Sequence, residues 1–459
     1  MSNPGDADAT PIASIRQLAE HIAAGGKPAD KFTIGTEHEK FGFRQSDLAP
    51  PPYEPGGIRA VLEGIARDGW SKIVDHGNPI GLTRGRAAIS LEPAGQLELS
   101  GATLATLHET NAEFDAHFAD VHRVADELGL GFAPLGFHPT ATRDAMPWMP
   151  KSRYALMRRY MPKVGSMGLD MMTRTCTVQV NLDYADEADM VRKLRVGLAL
   201  QPVATALFAN SPFTEGRPNG FQSYRAHVWT DTDNQRSGIP PVFFEDGFGF
   251  ERYAEWLVDS VPMYFVMRDG AYIDLAGQSF RRLLDGTLDH PDAARISRAT
   301  VGDFADHMTT VFTDVRLKRF LEMRGSDAGS QEMMVAQSAL WVGLLYDESA
   351  LAAAVALISR HHWTDFAALR ALVPRHGLAA PFAPTRGTVR DLARDIIAIA
   401  KDGLRARGRL DASGRDETIY LAPLEAIADG APNQAEFWLS KFHGEWGGDV
   451  RRIFAEAAI

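Results

Sequence analysis

Five stretches of the chain alternate polar and apolar residues with a period of two, which is typical of β-strands that bury one face and leave the other open. The stretches are Thr33–Phe43, Ile89–Glu92, Gln96–Ser100, Thr173–Asp183 and Arg316–Gly325. An ordinary solvated sheet face gives the same alternation, so the pattern alone leaves two interpretations open. Glutamate dominates the polar faces, and this composition favours a functional surface.

The glutamates on these polar faces are the main candidates for chemistry. Glu37 and Glu39 project from the same side of one strand, about 6.6 Å apart along it. Carboxylates that close repel each other unless a cation or a proton lies between them. Glu92, Glu98 and Glu322 occupy the polar faces of three other stretches. Such a concave acidic surface needs a hard cation with oxygen ligands, which means Mg²⁺ rather than zinc.

Longer segments repeat apolar residues every three to four positions, the period of an amphipathic helix. They are Thr10–Gly26, Ile58–Gly69, Leu104–Gly129, Asp186–Ala209 with an interruption at Pro202, and most of the chain from Gln331 onward. Thr10 and Pro11 are expected to start the first helix. Asn210–Trp229 is predicted to be a long ordered loop, and Asp269-Gly270 the turn of a hairpin.

Together these elements predict one α+β domain over residues 1–459, in which helices cover one side of an antiparallel sheet. The sequence contains no internal repeat, no low-complexity tract and no linker that would divide it. We therefore expect a single domain whose C-terminal part, from about residue 331, is mostly helical.

Composition and charge narrow the function classes. Hydrophobic residues make up 45% of the 459 and charged residues 23%, so a folded core is expected rather than disorder. The net charge of −11 disfavours a nucleic-acid partner. The apolar runs are too short to span a bilayer, and Met1–Thr10 does not have the pattern of a signal peptide. Cys176 is the only cysteine, which favours a reducing compartment, and we expect a cytoplasmic protein without a membrane partner.

Two residues close to the glutamates are predicted to be structural. Cys176 lies on the apolar side of its strand and is expected to be a buried, inert thiol. His38 points away from Glu37 and Glu39 and is expected to be a hydrogen-bonded core histidine.

Several common catalytic motifs are absent from the sequence. Gly26-Lys27 lacks the first glycine of a P-loop, and a proline follows the lysine. No HExxH, GxSxG or CxxC motif occurs. These absences exclude the commonest NTPase, zinc protease and serine hydrolase interpretations.

Five blocks of the sequence match the motifs of a known enzyme family. The blocks are Thr36–Gly42, Glu92–Gly101, Arg174–Asn181, Ser223–Asp233 and Phe320–Asp327. In this order and register they resemble glutamate–cysteine ligase in its plant and proteobacterial branch, and the similarity runs from about Thr33 to Asp347. Ala94 departs from the family pattern, which has a second glycine there, but no side-chain chemistry is lost.

The resemblance implies a fold and a reaction. The fold would be a curved antiparallel sheet that cradles the active site, with helices on the outside, related to glutamine synthetase. The reaction would join the γ-carboxylate of L-glutamate to L-cysteine through a γ-glutamyl phosphate, with ATP as co-substrate and Mg²⁺ as cofactor. This is the first step of glutathione synthesis. The expected partners are these small molecules, and the expected state is a monomer or weak homodimer.

The resemblance also assigns roles to individual residues. The implied Mg²⁺ ligands are Glu37, Glu39, Glu92, Glu98, Glu322 and Gln179. Arg324 would stabilise the transferring phosphoryl group, with Glu98 as a second catalytic residue. Arg153 and Arg225 would hold the α-carboxylate of glutamate, a task suited to the guanidinium fork. Tyr264 would form a wall of the cysteine pocket.

Two alternatives remain open from the sequence. One is a related carboxylate–amine ligase with another amine acceptor, because the glutamate face does not distinguish amines. The other is a non-catalytic nucleotide- or metal-binding protein on the same scaffold, which is expected to have lost one or more of the glutamates.

Overall fold

The structure, a computed structural model, describes residues 8–459 and is built around a large antiparallel sheet. The strands are β1 Ile34–Arg44, β2 Ser71–Asp75, β3 Asn78–Arg84, β4 Ala87–Leu91, β5 Leu97–Ser100, β6 Leu130–Ala133, β7 Thr177–Leu182, β8 Phe213–Thr214, β9 Arg217–Pro218, β10 Ser237–Gly238, β11 Phe265–Arg268, β12 Ala271–Asp274, β13 Phe312–Thr313, β14 Val315–Leu317, β15 Leu321–Asp327, β16 Pro381–Phe382 and β17 Gly387–Thr388. In the large sheet the order is β14, β15, β7, β1, β5, β4, β3 and β2, and β6 pairs with the second half of β1.

Helices lie on both sides of the sheet, and several of the longest pack against the face that points away from the glutamates. They are α1 Ile15–Ala23, α2 Ile58–Ala66, α3 Leu107–Leu128, α4 Ser152–Tyr160, α5 Gly168–Arg174, α6 Glu187–Leu207, α7 Tyr224–Val228, α8 Phe250–Ser260, α9 Phe280–Leu284, α10 Ala293–Ile296, α11 Val301–Met308, α12 Gln331–Leu345, α13 Glu348–Ile358, α14 Trp363–His376, α15 Val389–Arg407, α16 Ala422–Ala428, α17 Gln434–His443 and α18 Ile453–Ala457. Helices α2, α3, α6 and α12 contact the sheet directly. The predicted α+β class is confirmed, and so is the helical C-terminal part.

The long central strand β1 sets the position of the acidic residues. In its register Glu37 lies opposite Gln179 on one side and Ser100 on the other, and Glu39 lies opposite Glu98. The intervening residues point to the opposite face, where the buried side chains of the sheet join those of α3 in one apolar cluster. The alternation read from the sequence therefore corresponds to a cavity face and a core face.

Helix boundaries differ from the predictions where local hydrogen bonds compete. Helix α1 is capped by Ser14, whose hydroxyl accepts from the Gln17 amide, because the backbone at Pro11 pairs with Thr300 instead. Helix α3 begins three residues later than predicted, at a Thr106 capping box, and ends at Gly129 in the left-handed conformation as expected. Helix α6 continues through Pro202 without the predicted interruption.

Two segments that were predicted as single strands contain more than one element in the structure. The segment Thr173–Asp183 begins as the last turn of α5 and becomes strand only at Thr177. The segment Arg316–Gly325 is a hairpin, because residues 318–320 turn the chain between β14 and β15. The hairpin places Arg316 opposite Glu322, a pairing that a single strand would not allow. The predicted loop Asn210–Trp229 contains the β8–β9 pair and helix α7.

The two structural predictions near the glutamates have different outcomes. Cys176 is fully buried, as expected. His38 is also fully buried and packs edge-on against Phe114 and Phe118. Within the described part of the chain neither of its ring nitrogens has a hydrogen-bond partner, so the predicted hydrogen bonding is wrong.

Between residues 8 and 459 no single helix is long and apolar enough to cross a membrane. Only the pair Gln331–Leu345 and Glu348–Ile358, bent by 89°, reaches the required length and composition together. Residues 1–7, which make up most of the segment compared above with signal peptides, lie outside the described residues.

Candidate active site

The glutamate face of the sheet forms the floor of a cavity of about 810 Å³, a volume that includes the solvent at its mouth. Strands β1, β5, β7, β14 and β15, with Glu92 just after β4, supply the floor, while α4, α5, α7 and the segment around Phe312 supply the walls. Of the residues predicted from the sequence, the cavity brings together Glu37, Glu39, Glu92, Glu98, Gln179, Glu322, Arg324, Arg153 and Arg225.

One end of the cavity carries an excess of negative charge. Glu39 and Glu98 lie opposite each other in the β1–β5 register, and Glu92 follows β4 directly. The Glu98 carboxylate accepts a hydrogen bond from the Ser90 hydroxyl at 2.5 Å, and Glu39 accepts one from the Thr177 amide at 2.9 Å. These bonds do not neutralise the charge, so the group behaves as an acidic end that attracts cations.

The pKa values of the acidic end report this charge excess. Burial, reinforced by the charges of Glu37 and Glu92, raises the pKa of Glu98 to about 7. Burial also raises the pKa of Glu39 well above its usual value, with Glu92 and Glu98 adding to the rise. A bound cation would remove both the repulsion and the cost of burying these charges.

The other end of the cavity is basic and is organised around Glu322. Arg316 makes two bonds to the Glu322 carboxylate, of 2.6 and 2.8 Å, and Arg324 makes a third of 2.7 Å. The Lys318 ammonium lies 3.4 Å away. Burial would raise the pKa of Glu322, but Arg316, Lys318 and Arg324 hold it well below the usual value. Three cations around one carboxylate leave this end with a net positive charge.

Two amide side chains connect the acidic and basic ends. Gln179 accepts a hydrogen bond from Nη1 of Arg324 at 2.6 Å, so Gln179 and Glu322 share the same guanidinium nitrogen. Asn181 donates to the Glu37 carboxylate at 2.8 Å. The bonds to Gln179 and Glu322 hold Arg324 against the floor of the cavity.

Two buried arginines face the floor from the walls. Arg153, near the start of α4, donates to the Thr309 hydroxyl at 3.1 Å and lies over the Phe265 ring. Arg225, in the short helix α7, donates to the Arg324 carbonyl at 3.0 Å. Among the described residues, no acceptor bonds to Nε of either arginine. Both arginines therefore have an N–H group that can donate to an anionic ligand.

Tyr264 does not line the cavity, in contrast to the prediction. It is almost fully buried behind the wall, and its ring packs 4.1 Å from the guanidinium of Arg236. Its hydroxyl donates to Asp233 at 3.5 Å. Tyr264 therefore contacts the buried Asp233–Arg236 ion pair.

Several lining residues were missed by the sequence analysis. They are Tyr154, Met157, Met171, Met172, Thr175, Thr177, Trp229, Thr309, Phe312 and Arg316. Four of them lie on α4 and α5, which carry no alternating pattern to mark an exposed face. Arg316 could have been found from its spacing to Glu322, if the turn at residues 318–320 had been recognised.

The carboxylates of the acidic end fit a divalent cation by chemistry, although no cage is preformed. Among residues 8–459 no three histidine, cysteine or acidic side chains converge as a metal cluster. Mg²⁺ usually keeps several waters and takes one or two carboxylates together with phosphate oxygens, so a facing pair such as Glu39 and Glu98 is sufficient. Glu322 fits less well, because Arg316 and Arg324 already bind both of its oxygens.

Most of the chain matches the model of one known protein family. Residues 33–456 match the family described as glutamate–cysteine ligase family 2. The chain is 49% identical over 445 residues to the chloroplastic glutamate–cysteine ligase of Nicotiana tabacum, which covers 96% of this chain and 82% of that protein. It is 50% identical over 442 residues to the chloroplastic glutamate–cysteine ligase B of Oryza sativa subsp. japonica, with 96% and 86% covered.

Solved structures share the fold at low sequence identity. The glutamate–cysteine ligase of Francisella tularensis in complex with AMP superposes with a TM-score of 0.53 at 11% identity, covering 93% of this chain and 87% of that one. A bifunctional glutathione synthetase from Pasteurella multocida gives a TM-score of 0.52 at 13% identity, covering 96% and 53%.

The similar proteins also correct one expectation. The relatives from Nicotiana tabacum, Arabidopsis thaliana and Oryza sativa are named as chloroplastic proteins. The prediction of a cytoplasmic location is contradicted by these names and is withdrawn. It rested on the cysteine count and on Met1–Thr10, neither of which distinguishes one reducing compartment from another.

Proposed function

Because the chain belongs to glutamate–cysteine ligase family 2 and is an enzyme that forms γ-glutamylcysteine for glutathione synthesis, we propose that it consumes ATP and forms a γ-glutamyl phosphate on the way. The observation that carries this proposal is the division of the cavity into an acidic and a basic end. A carboxylate resists attack by an amine until it gains a leaving group, and phosphorylation supplies one. The step brings two anions together, so cations must hold both.

The basic end is suited to the phosphate groups of ATP. Arg316, Lys318 and Arg324 place three positive charges on one side of the cavity, and all three form ion pairs with Glu322. The side chain of Arg324 is more exposed than that of Arg316, and it is held by Glu322 and Gln179. We assign it to the oxygens of the transferring phosphoryl group, where a planar fork reaches two of them at once.

The acidic end is suited to Mg²⁺. Glu37, Glu39, Glu92 and Glu98 would hold the ion, which would supply charge neutralisation for the phosphates. Gln179 and Glu322 are assigned first to orienting Arg324, because both bind its Nη1. The Gln179 oxygen becomes available to a cation when Arg324 turns towards a phosphate, whereas both Glu322 oxygens remain bonded to Arg316.

The wall arginines are assigned to the substrate that donates the acyl group. Arg153 and Arg225 line the walls of the cavity, and each is less than 5% exposed. A buried guanidinium favours a carboxylate partner, since a further negative charge offsets more of the cost of its desolvation. Their place suits the α-carboxylate of L-glutamate, which leaves the γ-carboxylate free to reach the phosphoryl group.

The direct test of the proposal is ADP release by the purified enzyme. We expect ADP only when L-glutamate, L-cysteine, ATP and Mg²⁺ are all present, and loss of the signal with a chelator. Arg225→Met should raise the KM for glutamate, whereas Arg405→Met, on the exposed side of α15, should have no effect. Turnover with another amine in place of cysteine at equal efficiency would favour a different carboxylate–amine ligase, and no ADP release would favour a non-catalytic binding protein.

The organisation of the enzyme is part of the same proposal. We propose that residues 1–459 act as one catalytic domain and that the enzyme is a monomer or weak homodimer. Sedimentation velocity over a range of concentrations measures this directly, and a stable larger assembly would contradict it.

A further inference from the structure

Asp327, the last residue of β15, is a buried carboxylate outside the cavity. It is 1% exposed and accepts three hydrogen bonds. Two reach Oδ2, from the Ser211 hydroxyl at 2.6 Å and the Asn210 amide at 2.8 Å. The third reaches Oδ1 from the Ser223 hydroxyl at 2.8 Å. No role in substrate binding or in catalysis has been assigned to it above.

Ser211 and Ser223 connect Asp327 to helix α7 by hydrogen bonds. The Ser211 oxygen also accepts the backbone amide of Arg225 at 3.1 Å. The Ser223 oxygen accepts the amide of Ala226 at 3.1 Å and so caps the helix. Each hydroxyl donates to Asp327 and accepts from the helix, so the carboxylate fixes the direction of both hydroxyl protons. The start of α7 is thereby tied to the end of β15.

The surroundings of Asp327 are shaped for this side chain. A Cβ atom at Gly136 would lie 2.4 Å from the Asp327 carboxyl carbon, so only glycine fits there. Asn210 is held in turn by the indole of Trp438 and the carbonyl of Ala328. The carboxylate therefore has no room to turn away from Ser211 and Ser223.

Arg225 is the main positive charge that opposes the cost of burying Asp327. Burial raises the pKa of Asp327, and Arg225 is the strongest influence in the opposite direction. The relation is mutual, because Asp327 is the strongest negative charge acting on the buried Arg225. The carboxylate thus stabilises the charge of Arg225 as well as the helix that bears it.

We propose that Asp327 is a positioning residue for substrate recognition: through Ser211 and Ser223 it fixes the start of α7, so that the guanidinium of Arg225 points into the cavity towards the α-carboxylate of glutamate. This inference rests on the proposed role of Arg225. Failure of that role would appear in the Arg225→Met variant alone, before any change at Asp327 is considered.

The test compares Asp327→Asn with the wild-type enzyme in steady-state kinetics. Asparagine keeps the shape but cannot accept from both serines, so α7 should shift. We expect the KM for glutamate to rise about 10- to 100-fold, as for a small misplacement of a binding group, with the KM for ATP changing by less than about threefold. A purely structural role would instead lower the active fraction and leave every KM unchanged.

A double-mutant cycle with Arg225→Met shows whether Asp327 acts through Arg225. We expect Asp327→Asn to add almost nothing to the glutamate KM when Arg225 is already absent. Additive effects, or equal shifts in the KM values of all three substrates, would overturn the proposal. Glu417→Gln is the matched control, because Glu417 is an equally buried, paired carboxylate far from the cavity. It should lower Tm without changing any KM.

A second pair of variants covers the case in which Asp327→Asn does not fold. Ser223→Ala removes the hydroxyl link and Ser223→Thr restores it, and both leave the carboxylate in place. We expect a raised KM for glutamate in the alanine variant and a near-normal value in the threonine variant. Ser279→Ala removes the cap of another five-residue helix, α9, and should leave the glutamate KM unchanged. An unchanged KM in Ser223→Ala would equally overturn the proposal.

Discussion

Arg324 and Glu322 project from the same face of β15, and Nη1 of Arg324 lies 2.7 Å from a Glu322 carboxylate oxygen. The same nitrogen lies 2.6 Å from the Gln179 amide oxygen. One strand therefore presents a cation and its counter-ion to the cavity together. Arg316 already satisfies Glu322 with two bonds, so the fold does not need Arg324 to neutralise this carboxylate.

Arg324→Lys separates a phosphoryl role from a structural role. Lysine keeps the charge and the contact with Glu322 but loses the planar fork. We expect kcat to fall by about 10²-fold or more, as for the loss of one preorganised charge-stabilising group, while the KM for glutamate changes much less. Steady-state kinetics measure both values, and Arg319→Lys, at the surface, is the control. A near-normal kcat would remove Arg324 from the catalytic residues.

Glu98→Gln and Glu39→Gln test the acidic end. Each change keeps the size of the side chain and removes one of several repelling charges, so the metal-free protein should fold at least as well as the wild type. The Mg²⁺ concentration needed for half-maximal activity should rise and turnover should fall, since a ligand is lost. Calorimetric titration of Mn²⁺ gives an independent value for cation affinity. Unchanged Mg²⁺ dependence in both variants would exclude a ligand role.

Cys176 should confer no redox control. Its thiol is fully buried, and burial raises its pKa well above the usual value, so little thiolate is available for oxidation. We expect equal activity after dithiothreitol or a mild oxidant, assayed with 2-aminobutyrate as the amine so that the substrate itself carries no thiol. A reversible change in activity, absent from Cys176→Ala, would show that the thiol is accessible after all.

The buried histidines predict how stability depends on pH. Burial lowers the pKa of His307 to about 4 and that of His138 to about 3, below the ordinary value of 6.5. The unfolded chain therefore binds protons at these two histidines below about pH 6.5 that the folded protein does not, and their contribution to the free energy of unfolding falls as the pH drops from there towards 4. Urea unfolding at several pH values measures this slope. His307→Gln should change this slope by removing the contribution of His307. An unchanged slope would contradict a lowered pKa for His307 in the folded protein.

The sequence predicted the residues on the floor of the cavity because side chains along a strand alternate between its two faces. Alternation puts Glu37 and Glu39 on one face of their strand and Glu98 on the polar face of another, and the structure places all three in the cavity. Arg316 was missed because the turn that brings it opposite Glu322 interrupts no alternation. Tyr264 was misplaced because its position depends on the buried Arg236, a contact between distant segments that no local pattern encodes.

The walls of the cavity could not be predicted from local patterns either, because they too depend on contacts between distant segments. Arg153 and Arg225 were found only through similarity of motifs, since a single arginine in a sequence is more often part of a surface ion pair. Their burial depends on how α4 and α7 dock above the sheet. For Arg225 that docking depends on Asp327, more than a hundred residues away in the chain.

The γ-glutamyl phosphate is tested most directly by following oxygen from glutamate to phosphate. L-glutamate labelled with ¹⁸O in its γ-carboxylate is incubated with the enzyme, ATP, Mg²⁺ and L-cysteine, and the released phosphate is analysed by mass spectrometry. If the γ-carboxylate attacks the γ-phosphorus of ATP and cysteine then displaces phosphate, one labelled oxygen must leave with each phosphate. We predict one ¹⁸O per phosphate released with product. Phosphate free of label, formed together with γ-glutamylcysteine, would contradict the proposed intermediate.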